Sequence, residues 1–386
     1  HGTYRGYEII SAPPPSSGGT ALIEMLNILE GFDLGKDGDH TAKSVHLITE
    51  AFRRAYYDRA DFMGDPDFTR VPVAQLIDKR YGTAWREGLD QEKATPSADL
   101  KRPAVFSELD TYAVNNPCEN QSAVVSSQPP ERRIGILDLG FGNQNPVHAI
   151  AGNPNSEIPN SKSLAMLPRG TIPCMADEPE DTTHYSIVDA QGNAVAVTTT
   201  LNGIFGSYVT ADGLGFLLNN EMDDFSSAPG VPNSDGLIQG PANAIGAGKR
   251  PLSSMTPTIV LRPALQLKEA GPTETAGKPQ VYLVLGSPGG ARIITTVANI
   301  LMGVIDFGLD IQQAVNAPRF HHQWSPDKLV LEPGFPIDTA ELLQAMGHET
   351  SREKYWSDGE CILVDSRTGE RLGASDGRNN GKALGY

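Results

Sequence analysis

The stretch Thr182-Thr183-His184-Tyr185-Ser186-Ile187-Val188, followed by Asp189-Ala190-Gln191-Gly192-Asn193 and then Ala194-Val195-Ala196-Val197-Thr198-Thr199-Thr200, decides how the chain is read. Two runs rich in β-branched and aromatic residues flank five turn-forming residues, which predicts a hairpin. A Thr pair at the head of a strand is by itself ordinary β-propensity. What precedes it gives a second reading. Residues 96 to 180 are Pro, Asn, Ser and Gly with little periodicity, a texture that inside a compact domain signals a lid, an insertion or a flexible segment. A Thr hydroxyl is a weak nucleophile until a base adjoins it, and cutting the peptide bond before the Thr supplies one as its own α-amine.

Working outward from the hairpin, Tyr7-Glu8-Ile9-Ile10 reads as a strand running into Pro13-Pro14-Pro15-Ser16-Ser17-Gly18-Gly19. A helix follows, with Leu22, Ile23, Met25, Leu26 and Leu29 at helical spacing until Gly31. Val45, Ile48, Phe52 and Ala55 predict a second helix over about 41 to 60. After the hairpin, 213–218, 258–261 and 281–285 read as strands, and Gly289-Gly290 opens a helix carrying Ile293, Ile294, Val297, Ile300, Leu301 and Val304. Asp310 with Gln313 and Asp338 with Glu341 have capping-box spacing and predict two more helix starts. A final hairpin is expected around Cys361-Ile362-Leu363-Val364-Asp365. Strands grouped with strands and helices with helices favour a layered α+β sandwich over a doubly wound parallel sheet.

The chain has 386 residues, enough for two or three domains or one large unit. Its 31 Lys and Arg against 47 Asp and Glu leave a net charge of −16. That balance argues against nucleic-acid partners and a polybasic membrane patch. No apolar run approaches the ~20 residues of a membrane span. The chain opens on His1-Gly2-Thr3-Tyr4 with neither Met nor an export signal, so its start is read as truncated or processed. Of the three cysteines, Cys118 and Cys174 flank irregular sequence that a disulfide would close in an oxidising compartment.

Several chemical motifs fail inspection. Gly246-Ala247-Gly248-Lys249 lacks both the first Gly (Asn243) and the Ser/Thr (Arg250) of a phosphate-binding loop. There is no His-Glu-x-x-His and no Cys-x-x-Cys. Glu221-Met222-Asp223-Asp224 and His321-His322 have no recognised ligand spacing, so no metal and no cofactor is expected.

The ordered motifs resemble the γ-glutamyltranspeptidase family of N-terminal-nucleophile hydrolases. They are Thr182 to Ser186, Asp189 to Asn202, 217–225 (Leu-Leu-Asn-Asn-Glu-Met-Asp-Asp-Phe), 249–255 (Lys-Arg-Pro-Leu-Ser-Ser-Met), 286–290 (Gly-Ser-Pro-Gly-Gly) and 316–324 (Asn-Ala-Pro-Arg-Phe-His-His-Gln-Trp). Pro14 to Gly19, Tyr57-Asp58-Arg59 and Gly64-Asp65-Pro66 extend the resemblance into the first part, so that it covers about 1 to 95 and 181 to 386.

The resemblance implies an αββα sandwich, incomplete at its N-terminal side, with residues 1–95 as the end of a large subunit, 96–181 as a linker up to the cleavage point, and 182–386 as the small catalytic subunit. It implies self-cleavage before Thr182 to a heterodimer, attack of Thr182 on the γ-glutamyl amide of compounds such as glutathione, and resolution by water, an amino acid or a peptide. Thr200 matches the Thr that hydrogen-bonds the nucleophile, and Gly289 and Gly290 match the oxyanion-hole pair. Asn202, Glu221 and Asp224 resemble the holders of the substrate α-ammonium, and Ser253 and Ser254 those of its α-carboxylate. A periplasmic or extracellular setting is also implied. In the loop 229–236, which resembles the family's lid, Asp235 stands where many bacterial members place an aromatic gate, which implies a more open pocket. The carboxylate-clamping Arg of the family belongs to a region upstream of His1. The alternatives are an acylase acting on glutaryl amides and an unprocessed, non-catalytic scaffold chain.

Overall fold

The computed structural model describes residues 1–106, 109, 182–228, 231–263 and 279–385. Its centre is a six-stranded antiparallel sheet built from both ends of the sequence. Strands β1 (Gly2–Tyr4), β2 (Tyr7–Ser11), β5 (Thr258–Arg262), β6 (Gln280–Leu285), β10 (Cys361–Val364) and β11 (Arg371–Ala374) lie side by side in the order β1-β2-β5-β6-β10-β11. The hairpin of β3 (Thr183–Val188) and β4 (Ala194–Thr199) packs against β5, β6 and β10 as the start of a second β layer.

The helical layer explains itself from its sequence. Every residue of α1 (Gly18–Leu29) is buried, because it sits between β1 and β2 below and the helices α3 (Ala42–Phe62), α5 (Lys79–Glu87) and α6 (Ile293–Ile305) around it. Thr41 caps α3 by accepting from the Ser44 N–H. A full capping box opens α7 (Ile311–Asn316), with Asp310 and Gln313 bonded reciprocally as their spacing predicts. Strands β7 (Phe320–His321), β8 (Leu329–Leu331) and β9 (Thr350–Arg352) form a small separate sheet.

The buried charge of Asp58 on α3 is neutralised in place. Asp58 is fully buried and accepts from Tyr81 Oη at 2.8 Å, Trp85 Nε1 at 3.1 Å and the Arg102 guanidinium. Arg102 also reaches Asp61 at 2.6 Å, and Ser97 donates its N–H to Asp327 at 2.7 Å. Residues 97–106 are therefore fastened to the helical layer. The rest of the irregular segment, with Cys118, Cys174 and Asp181, lies outside the described residues.

Two sequence expectations are corrected. Residues 213–218 form no strand: Gly213 and Gly215 take φ of +70° and +75°, and the segment folds as a loop closed by a single Thr210–Leu217 bridge. Asp338 is not a helix cap, because α8 (Ile337–Ala345) begins one residue earlier, after Pro336, and Asp338 lies in its first turn.

Candidate active site

Thr182 stands one residue ahead of the first ladder pair of the hairpin, Thr183 with Thr199, so Thr200 is its opposite number in the register. Thr200 Oγ1 accepts the N–H of Asn202 at 2.9 Å, which fixes the turn leaving β4. Asn202 itself has φ of +71° and is held to the Asn219-Asn220 segment: its Nδ2 donates to Asn220 O at 3.4 Å, and Asn220 Oδ1 accepts the Gly203 N–H at 2.8 Å. That segment leads straight into the 3₁₀ turn Glu221–Asp224.

The start of β3 is also anchored from below. His184 is buried, with Nδ1 on Thr198 Oγ1 at 2.8 Å and Nε2 on Ser186 Oγ at 3.1 Å. Its ring rests on Gly286, where any Cβ would fall 2.2 Å from Cε1. Burial pulls its pKa down to about 4, so it is a neutral packing group. Gly286 continues through Ser287 and Pro288 to Gly289 and Gly290, both at positive φ (+133° and +51°), immediately before α6. The Gly-Gly turn thus sits at a helix start.

Asp235 does not leave this turn open. Its carboxylate lies so close to Gly290 that a Cβ there would be 2.7 Å from Oδ1. Burial raises its pKa, and Arg59 and Arg292 pull it back. Asp224 has the stronger shift: burial, then the negative charges of Asp235 and Glu221, push it up to about 7. Its backbone carbonyl is pinned by Gln239 at 3.0 Å and Asn243 at 2.6 Å, while its carboxylate has no hydrogen-bond donor among the described residues. Burial also raises Glu221.

Ser253 and Ser254 are held by the loop before α1. Ser17 N and Ser17 Oγ both donate to Ser253 O, at 2.8 and 2.7 Å, and Ser253 N donates to Pro15 O at 2.9 Å. Gly18 permits this approach, since a Cβ there would lie 2.5 Å from Met255 O. Beneath them is Arg59, buried on α3, whose Nε donates to Ser17 Oγ at 2.9 Å and whose Nη2 donates to Ser254 Oγ at 3.1 Å.

Thr182 and Thr200 therefore occupy facing register positions one step beyond the terminal ladder pair of the hairpin. Asn202, Glu221 and Asp224 follow one another around one loop system. Ser254 is joined to Asp224 and Asp235 through the field of Arg59. Sequence reading singled out neither the buried Arg59 link between Ser17 and Ser254 nor the His184–Gly286 contact. The available signal was the run Glu50, Arg53, Arg54, Asp58 and Arg59, charged residues repeating at helical spacing on a helix face that is buried.

The remaining clusters are structural. His321 bonds Thr295 and Gln323, His322 bonds Asp327, and burial lowers their pKa to about 3 and about 4. Lys249 donates to the carbonyls of Ala242 and Ala244, closing its own loop. His46, Glu50 and His348 bring ligating atoms within 4.8 Å of one another. Glu50 there already accepts from Arg53 and Arg54, and the His46 nitrogens face His348 and the Asp90 carbonyl, so two guanidinium groups occupy the place of a cation.

The chain is 40% identical to the glutathione hydrolase proenzyme of Escherichia coli K12, over 98% of this chain and 50% of that protein. It is 30% identical to the acylase ACY 1 proenzyme of Pseudomonas sp. SE83, again over 98% of this chain and 50% of the relative. The chain thus spans about half the length of the curated relatives it matches. The crystal structure of cephalosporin acylase from Bacillus halodurans superposes with a TM-score of 0.64, covering 100% of this chain and 52% of that one at 22% identity, and shows a shared fold. The sequence model of gamma-glutamyltranspeptidase matches residues 1–125 and 153–386, and with the motifs around Thr182 this places the chain in the gamma-glutamyltranspeptidase family.

Proposed function

We propose that the protein is a γ-glutamyl hydrolase and transferase that cleaves the γ-glutamyl amide of glutathione and related compounds. The observation that carries this reading is Asp224: a half-buried carboxyl with its pKa pushed up to about 7 and no hydrogen-bond donor among the described residues, set in the same field as a buried guanidinium and the Ser254 hydroxyl. Such a site lacks a cation at one pole and an anion at the other, and the α-ammonium and α-carboxylate of a γ-glutamyl group supply both.

The chemistry starts with cleavage before Thr182, which divides residues 1–181 from the small subunit 182–386. The new α-amine of Thr182 takes the proton from its own hydroxyl as Oγ1 attacks the γ-carbonyl, with Thr200 orienting Oγ1. Gly289 and Gly290 donate N–H groups to the oxyanion. The C–N bond then breaks, the amine leaves with the proton, and a γ-glutamyl ester on Thr182 remains for water, an amino acid or a peptide to resolve. Asn202, Glu221 and Asp224 hold the ammonium, and Ser253 and Ser254 the carboxylate. We read the complete architecture as an αββα sandwich, finished by the part of the protein that corresponds to the other half of its relatives, in a periplasmic or extracellular setting.

Mass spectrometry of the mature protein tests the reading: a fragment beginning at Thr182, and a γ-glutamyl adduct on it, are expected. Thr182→Ala abolishes both. Active protein with the bond before Thr182 intact defeats the mechanism.

A further inference from the structure

We propose that Arg59 is a positioning residue for the anionic end of the ligand, acting through Ser254. The inference deepens the γ-glutamyl reading and rests on it. It also gives a role to two sequence motifs that the chemistry leaves unused, Pro14 to Gly19 and Tyr57-Asp58-Arg59.

The argument is an account of protons. A Ser hydroxyl has one proton to give and can accept twice. Ser17 spends its proton on Ser253 O at 2.7 Å and accepts from Arg59 Nε. Ser254 Oγ accepts from Arg59 Nη2 at 3.1 Å, and its own proton has no acceptor among the described residues. Because the guanidinium occupies the inner side of the oxygen, that proton is directed away from the helix and offered to a ligand. Ser254 is thereby fixed as a donor polarised by a full positive charge.

The charge itself is unanswered. Arg59 is only 2% exposed and forms no salt bridge with any described residue. Asp224 and Asp235 act on it only through space, with no hydrogen bond to its guanidinium, and burial raises the pKa of both. A buried cation in this state is costly to keep, and a ligand carboxylate seated on Ser254 supplies the missing negative charge. Arg59 comes from α3, in the part of the chain before the cleavage point, and Ser254 from the part after it. Anion recognition therefore requires both fragments.

The test compares two chromogenic donors in the protein expressed from its complete reading frame: γ-glutamyl-p-nitroanilide, and 4-aminobutanoyl-p-nitroanilide, which keeps the amine and lacks the carboxylate. The wild type is expected to favour the first by about 100-fold in kcat/KM, and Arg59→Met to reduce that preference below about tenfold, as expected for loss of charge-assisted hydrogen bonding. The loss falls on KM for the γ-glutamyl donor, with kcat within about threefold. Arg59→Lys restores part of the preference and serves as the readout if Arg59→Met does not fold. Adding Ser254→Ala to Arg59→Met costs less than about twofold more.

An unchanged preference in the Arg59 variants, with both donors losing rate equally, overturns the proposal and leaves the γ-glutamyl reading intact. A wild type that uses both donors equally overturns the proposal together with the assignment of Ser253 and Ser254 to the carboxylate, and leaves only the acyl transfer itself. A wild type that uses neither overturns both.

Discussion

The imidazole of His184 rests on the α-carbon of Gly286, with room for hydrogen and nothing larger: an added Cβ would lie 2.2 Å from Cε1 and 2.4 Å from Nδ1. One residue of β3 is thus keyed to the strand end that leads to Gly289. Gly286→Ala is expected to destabilise the fold by about 1–3 kcal/mol through overpacking. It should also slow cleavage before Thr182, since Thr182 lies two residues from His184. Denaturant unfolding and the rate at which the cleaved fragments appear check this. Unaltered stability and cleavage would mean that the ring relocates freely.

Asp58 closes a second buried junction. Its carboxylate accepts from Tyr81, Trp85 and Arg102; in Asp58→Ala Tyr81 and Trp85 lose this acceptor, and Arg102 keeps Asp61 alone as its carboxylate partner. Breaking a buried ion pair on one side costs about 3–5 kcal/mol. Chemical denaturation should show that loss, with Asp58→Asn intermediate because it keeps one oxygen acceptor.

Donor binding should depend on pH through Asp224. Only the ionised form attracts an ammonium, and burial with Asp235 and Glu221 holds the group near 7, so kcat/KM is expected to rise through that region. The free amine of a terminal Thr titrates about a unit higher and contributes its own rise. Asp235→Asn separates the two. Removing that negative neighbour moves the Asp224 limb to lower pH and leaves the amine limb in place, as a kcat/KM profile would reveal. A profile insensitive to Asp235→Asn rules out Asp224 as the group observed.

Stability should run the other way at Glu360. Burial, followed by the charge of Asp358, raises its pKa to about 7. Its native pKa therefore lies above the unfolded value of about 4.3. Between those values the native state holds the extra proton, so this group's stabilisation is complete below about pH 4 and is lost as pH rises through 7. Glu360→Gln is expected to flatten the slope of stability against pH in that window, measured by urea unfolding at several pH values.

Much of this molecule is written in short-range pattern. The α1 and α3 stripes, the β3–β4 hairpin and the Asp310–Gln313 box are local signals, and each appears where spacing places it. Residues 213–218 misled because Leu214 and Phe216 have strand-like character, whereas the two flanking Gly residues at positive φ turn the chain and leave both side chains exposed. The motif residues Asp224 and Ser254 were legible by resemblance. The Arg59 link was not legible, because it runs to Ser17 and Ser254, 42 and 195 positions away. Asp235 was read as an absent aromatic ring. Its contact with Gly290 depends on a loop path that no periodicity encodes.

The central sheet joins two origins at one seam: β1 and β2 come from before Thr182, and β5, hydrogen-bonded directly to β2 from Glu8–Leu261 through Ser11–Thr258, comes from after it. Should the bond before Thr182 be hydrolysed, the two polypeptides would share this sheet, each completing the other's backbone hydrogen bonding along the β2–β5 seam. Exchange of partners would demand parting that seam, and the two fragments should come apart only as the sheet unfolds.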